Sequence, residues 1–96
     1  MLQNKLLIIA QKTNGRCFYC NNKKAYVVDH FISKQKWKDW DLENTPLKGE
    51  LNDIKNLFLS CQKCNLSKKD KCPEDFIGNS WVCWDRYERA NHRINL

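Results

Sequence analysis

NLFLSCQKCNLSK, residues 56–68, is the stretch that decides the fold. Lys55-Asn56-Leu57-Phe58-Leu59-Ser60 is short and largely apolar and predicts a strand. It runs into Cys61 and Cys64, and a helix is expected from near Gln62 or Cys64 to about Asp70. Asn65 then falls in the first turns, with Lys68 three residues on and able to project to the same side. A C-x2-C pair supplies half of a tetrahedral zinc site, and Cys17 and Cys20 supply the other half. Cys17, Cys20, Cys61 and Cys64 together can hold one structural zinc and tie off the segment between them.

That segment contains Asp29-His30 and Asn56, and Asn65 follows the last of the four cysteines directly. Asp29 and Asn65 offer oxygen ligands to a hard divalent cation. Two such ligands completed by water suit Mg²⁺ or Mn²⁺ better than Zn²⁺. A histidine, whose ordinary pKa is about 6.5, is suited to take a proton from water near neutral pH. Tyr26 to Ile32 is rich in β-formers and predicts the other strand. Successive side chains of a regular strand leave on opposite faces, so Asp29 and His30 cannot both face one metal there. The strand is therefore expected to bulge, twist sharply or end at this point.

CFYC (17–20), VVDH (27–30) and NLFLSCQKCNLSK (56–68), in that order, resemble the zinc-stapled HNH endonucleases with their ββα-metal active-site hairpin. The resemblance runs from about Arg16 to Lys69 and is strongest at Asn56-Leu57, Cys61, Cys64-Asn65 and Lys68. Asn21 stands where that family has a glycine, and Phe31 to Gln35 lacks the proline and glycine that often follow Asp-His. The resemblance implies an α+β fold, a small ββα-metal core with a structural four-cysteine zinc site between an N-terminal and a C-terminal helix. It also implies hydrolysis of DNA phosphodiester bonds with one catalytic metal, leaving 5′-phosphate and 3′-hydroxyl ends. His30 would be the general base, and Asp29 and Asn65 the ligands of Mg²⁺ or Mn²⁺. Asn56 would hold the His30 loop by its amide, and Lys68 would meet a phosphate oxygen.

The rest of the chain fits one small domain, 1–96, with a motif core at 16–69 and a helical extension at 73–96. Seventeen Lys and Arg against eleven Asp and Glu give a net charge of +6, which favours a polyanionic partner. DNA is the expected one, with RNA left open. Six cysteines could belong to a secreted disulfide scaffold, but Leu6-Leu7-Ile8-Ile9-Ala10 is too short for a signal peptide's apolar region. The C-x2-C pairs instead point to metal in a reducing, cytoplasmic setting. A thioredoxin-like role for Cys17 to Cys20 would need a preceding strand, and Asn14-Gly15 is a turn signal. No membrane span is expected.

An N-terminal helix is predicted over 2–13, packing Leu2, Leu6, Ile9 and Thr13 on the core. Ser33 to Asp53 reads as a long loop in which Trp37 and Trp40 anchor to the core. Cys72-Pro73-Glu74-Asp75 marks a helix start. A last helix follows Asn79-Ser80, with Cys83, Tyr87, Ala90 and Ile94 as its apolar stripe. Arg86, Arg89 and Arg93 on another side form either a solvated face or a ridge for nucleic-acid phosphates. Three functions stay open on these residues: an endonuclease, a non-catalytic zinc-ribbon nucleic-acid-binding module, and a subunit that cuts only with a partner. One active site per chain means a monomer, or a homodimer if both strands are cut.

Overall fold

A computed structural model describes residues 2–21, 25–39 and 49–94. Its centre is a two-stranded antiparallel sheet of β1 (Val27–His30) and β2 (Leu57–Ser60), with Val27 opposite Ser60 and His30 opposite Leu57. β2 is buried along its whole length because it is covered on both faces. Leu57 and Leu59 pack with Ile9 of α1 (Leu2–Gln11). Phe58, pointing the other way, packs with Phe18, Phe31 and with Cys83, Tyr87 and Ala90 of α5 (Ser80–His92). The aromatic rings interlock there, Phe18 4.1 Å from Phe58 and Phe31 4.9 Å from Tyr87 between centroids. Burying a ring of this size is worth about 1.5–3 kcal/mol, so this side of β2 carries much of the stability. The result is the small α+β architecture that the sequence implied.

Both strands are shorter than the sequence suggests. Lys55 and Asn56 belong not to β2 but to a 3-10 turn, Ile54–Asn56. Asp53 imposes it: its carboxylate accepts from the Lys55 N–H at 2.9 Å, and its carbonyl accepts from Asn56 N at 2.8 Å. Ser33 to Asp53 is not loop throughout, since Ser33 caps a short helix, α2 (Lys34–Trp37). Trp37 packs against the aromatic core as expected. Trp40 lies outside the described residues.

α1 ends at Gln11, and the chain leaves it through Asn14 (φ 54°) and Gly15 (φ 76°), with Gly15 N donating to Ala10 O at 2.8 Å. Only part of its expected stripe is covered. Ile9 is buried, but Leu6 is 48 % exposed and borders an open groove. Lys12, just past the helix, is fully buried. Its ammonium donates to Ile54 O at 2.7 Å and Leu57 O at 2.6 Å, and lies 3.5 Å from the centre of the Phe58 ring. Two carbonyls and a π face thus receive the three N–H bonds of a buried cation. They tie α1 to both ends of the segment that carries Asn56.

After the sheet come α3 (Gln62–Lys68), packed on β1, and α4 (Pro73–Ile77), with proline at its start. Cys83, Tyr87 and Ala90 of α5 are buried as the spacing predicts, with Ile94 half-buried beyond the helix. Among the described residues no helix is long and apolar enough to cross a membrane.

Candidate active site and zinc centre

The four paired cysteines meet. Their sulfurs all lie within 4.8 Å of one another, with Cys20 Sγ 3.6 Å from Cys61 Sγ. Zinc–sulfur bonds of about 2.3 Å make a tetrahedron with edges of about 3.8 Å, so the cluster fits a zinc ion. Phe18 N donates to Leu59 O at 2.9 Å, which stitches the first knuckle to β2. Asn21 closes that knuckle at φ 63°, in the left-handed region that asparagine tolerates better than other side chains. This is how the chain turns without the glycine that the resemblance leads one to expect. Cys61 caps α3, its sulfur accepting from Cys64 N at 3.4 Å. Burial pushes the Cys17 thiol up, but the N–H groups of Cys61, Cys20 and Tyr19 outweigh it and bring Cys17 down to about 7. Such a sulfur is readily a thiolate ligand. Cys64 is pushed up, by burial first and then by its contacts with the Cys61 and Cys20 sulfurs, so Cys17 is the thiol of the two that gives up its proton more easily. Burial, with Glu74 adding to it, also raises the Cys83 thiol, to about 12, and it is position rather than acidity that sets Cys83 apart. Cys83 is a core residue, and Cys72 lies outside the cluster.

Asp29 and His30 leave the end of β1 on opposite faces. The register is unbroken through His30, where the strand ends, so no bulge turns the two side chains together. Of the expected irregularities, the strand end is present and the bulge is not. His30 shares its face with Leu57 and opens on a groove of about 430 Å³ lined by Lys5, Leu6, Ile9, Val28, Asn52 and Leu57. His30 Nε2 lies 2.8 Å from Asn52 Oδ1. With the amide oxygen as acceptor, Nε2 carries the proton and Nδ1 is the basic nitrogen. The main chain around His30 is fixed independently. Phe31 N donates to Asn56 O at 2.7 Å, and His30 O accepts from Lys68 Nζ at 3.0 Å. The fully buried Asn56 side chain accepts from Ile32 N at 2.8 Å and donates to Ile32 O at 3.1 Å and Leu51 O at 2.8 Å. Asn56 therefore grips the backbone after His30, while Asn52 touches the imidazole.

Asp29 faces α3. Its Oδ2 accepts from the Tyr19 hydroxyl at 2.7 Å and pairs with Lys68 Nζ at 3.3 Å. Burial, and after it the neighbouring Asp29 charge, hold the Tyr19 hydroxyl well above its ordinary pKa, so it stays a donor. Asn65 lies one turn before Lys68 on α3, half-exposed. A carboxylate and an amide oxygen are donor types that a hard divalent ion takes, and at Asp29 Oδ2 is already engaged, which leaves Oδ1 for such a role.

The expected phosphate contacts are placed differently. The Lys68 side chain has no exposure, because its ammonium is consumed by Asp29 and His30 O, so it is not presented to a phosphate. Arg86 is not a free ridge residue either. Its Nη1 donates to Phe18 O at 3.2 Å and Tyr19 O at 3.0 Å, bracing the first knuckle against α5. Arg89 is exposed and pairs with Asp85 at 3.0 Å, and Arg93 is exposed at the end of α5. All three line an open groove of about 400 Å³ beside Cys17 to Asn21. Sequence reasoning missed Tyr19, Asn52 and Lys12, although Tyr19 lies inside the CFYC motif.

A family model described as HNH endonuclease matches residues 17–71, more than half of the chain. No curated protein and no solved structure matches it.

Proposed function

The chain belongs to the HNH endonuclease family, and on that premise we propose that it is a metal-dependent endonuclease of DNA, leaving 5′-phosphate and 3′-hydroxyl ends. The observation that carries this reading is the setting of His30. Its imidazole is held at one nitrogen by Asn52 and opens on a groove, while Asn56 and Lys68 fix its main chain. A base held in this way can take a proton from an attacking water through Nδ1. His30 is the last residue of β1, next to Asp29, which leaves the strand on its other face.

Asp29, through Oδ1, and Asn65 would hold one Mg²⁺ or Mn²⁺. When bound, that ion supplies Lewis-acid stabilisation of the scissile phosphate and of the leaving 3′-oxygen. Asn56 and Lys68 keep the base in place, and the four cysteines hold a structural zinc that closes the fold. The exposed Arg89 and Arg93 are the better candidates for backbone phosphates, with Arg86 left to its structural role. The domain is read as one unit, 1–96, acting in a reducing intracellular compartment, as a monomer or as a homodimer when both strands are cut.

A zinc-stapled nucleic-acid-binding module without catalysis is the second reading. It is favoured by the ammonium already beside Asp29. Incubating the zinc-loaded protein with supercoiled plasmid separates the two. The nuclease converts it to open circles or linear molecules with Mg²⁺ or Mn²⁺ and stops with EDTA. Plasmid that is bound and retarded but never cut supports the second reading.

A further inference from the structure

The two zinc knuckles each send one side chain to the same carboxylate oxygen. Tyr19 stands between Cys17 and Cys20, and its hydroxyl donates to Asp29 Oδ2 at 2.7 Å. Lys68 lies on α3, the helix that Cys61 caps, and its ammonium stands 3.3 Å from the same oxygen. Neither group can drift. The Tyr19 ring is clamped edge-on by Phe18 (5.1 Å) and Phe76 (5.3 Å). Lys68 is fully buried, is tied also to His30 O, and lies 5.7 Å from the Tyr19 ring centre. Asp29 itself projects from a short strand end, and these two contacts are what hold its carboxylate.

We propose that Tyr19 and Lys68 are positioning residues that set how tightly Asp29 takes a divalent cation, which couples the zinc staple to the reactive centre. The inference rests on the reading of Asp29 as a metal ligand. The two residues act with opposite sign. Tyr19 is neutral and fixes the carboxylate by Oδ2, presenting Oδ1, and such an outer partner typically strengthens metal binding about 10- to 100-fold. Lys68 is a fixed positive charge in competition with the incoming cation, and it weakens binding by like-charge repulsion. Lys68 thereby keeps the site occupied only at substantial free metal, and its reach from Asp29 to His30 O links the acid on one face of β1 to the backbone of the base on the other.

The test is calorimetric titration of Mn²⁺ into the full-length, zinc-loaded protein, without DNA, on Asp29→Asn, Tyr19→Phe and Lys68→Met, with zinc content checked on each. Asp29→Asn should lose the Mn²⁺ site. Tyr19→Phe, which deletes one hydroxyl and keeps the ring, should weaken it about tenfold. Lys68→Met, which keeps the stem and removes the charge, should tighten it about tenfold. Opposite shifts at full zinc content support the proposal. Should Lys68→Met fail to fold, the Tyr19→Phe shift decides alone, and an unchanged affinity there overturns the proposal. Equal weakening in both variants, tracking lost thermal stability, also overturns it, because that reports packing only. Unchanged Mn²⁺ binding in Asp29→Asn overturns the ligand reading itself, a distinct result from failure of the pair.

Discussion

Replacing Asn56 by alanine should destabilise the domain strongly. The side chain is fully buried and makes three hydrogen bonds, one accepted from Ile32 N and two donated to Ile32 O and Leu51 O. Alanine leaves those backbone groups without partners, and each buried orphan costs about 1–3 kcal/mol. Leu51 O is only partly buried and recovers water, so the total is about 4 kcal/mol. A domain of this length has about 5–14 kcal/mol to lose, so the variant should keep about 1–10 kcal/mol and still fold. In urea, with a slope of about 1–1.5 kcal/mol/M, the midpoint should fall by about 3 M at unchanged slope. Equilibrium unfolding of the zinc-loaded protein, followed by tryptophan fluorescence, measures it. Cleavage assayed below the variant's melting range should fall as well, because Ile32 is no longer held by the residue 56 side chain and only the backbone bond from Phe31 N still fixes the chain after His30. A midpoint shift under about 0.5 M would refute the reasoning, since it would mean that water satisfies the orphaned groups.

The other expectations are narrower. Cys61→Ser should lose zinc and cooperative melting together, because its ligand joins distant parts of a small chain; Cys72→Ser and Cys83→Ser should keep zinc by elemental analysis. Asn52→Ala should lower the cleavage rate about 10- to 100-fold with DNA affinity retained, and Asn52→Asp should move the acid limb of the pH–rate profile up by about one unit, a carboxylate beside Nε2 favouring imidazolium. Lys12 is pulled from 10.5 to about 7 by burial, against an opposing pull from Asp53. The unfolded chain therefore binds more protons between those values, and stability should rise with pH across that window and stay level below about 7. Lys12→Met should remove that part of the slope in urea titrations at several pH values, and an unchanged slope would show that Lys12 is not its source.

What the sequence disclosed and what it hid follow from the range of the interactions. The zinc set was legible because the spacing in each C-x2-C pair alone puts two sulfurs on one knuckle, and pairing the knuckles needs only that the chain close. The α5 stripe of Cys83, Tyr87 and Ala90 was legible because helical period survives any packing. Lys68 lies on α3 three residues past Asn65, as the sequence predicts, but its role was not visible, since only the docking of α3 on β1 decides whether it meets solvent or Asp29. Lys12 was hidden for the same reason: a lysine after an amphipathic helix reads as exposed unless the carbonyls it feeds are known. Lys55-Asn56 read as strand because β-formers follow, and the cap from Asp53 overrode that pattern locally. Asn52 has no sequence signal at all, because its partner is 22 residues away and meets it only once the sheet and the 3-10 turn are formed.

The central claim is that His30 is the general base of a metal-dependent nuclease. The most direct measurement is single-turnover cleavage of a labelled DNA duplex by the zinc-loaded wild type and His30→Ala in Mg²⁺ or Mn²⁺, with DNA affinity and zinc content determined on the same samples. The account predicts that the alanine variant binds zinc and DNA as the wild type does, while its cleavage rate falls about 10²- to 10⁴-fold. A cleavage rate near that of the wild type would contradict it.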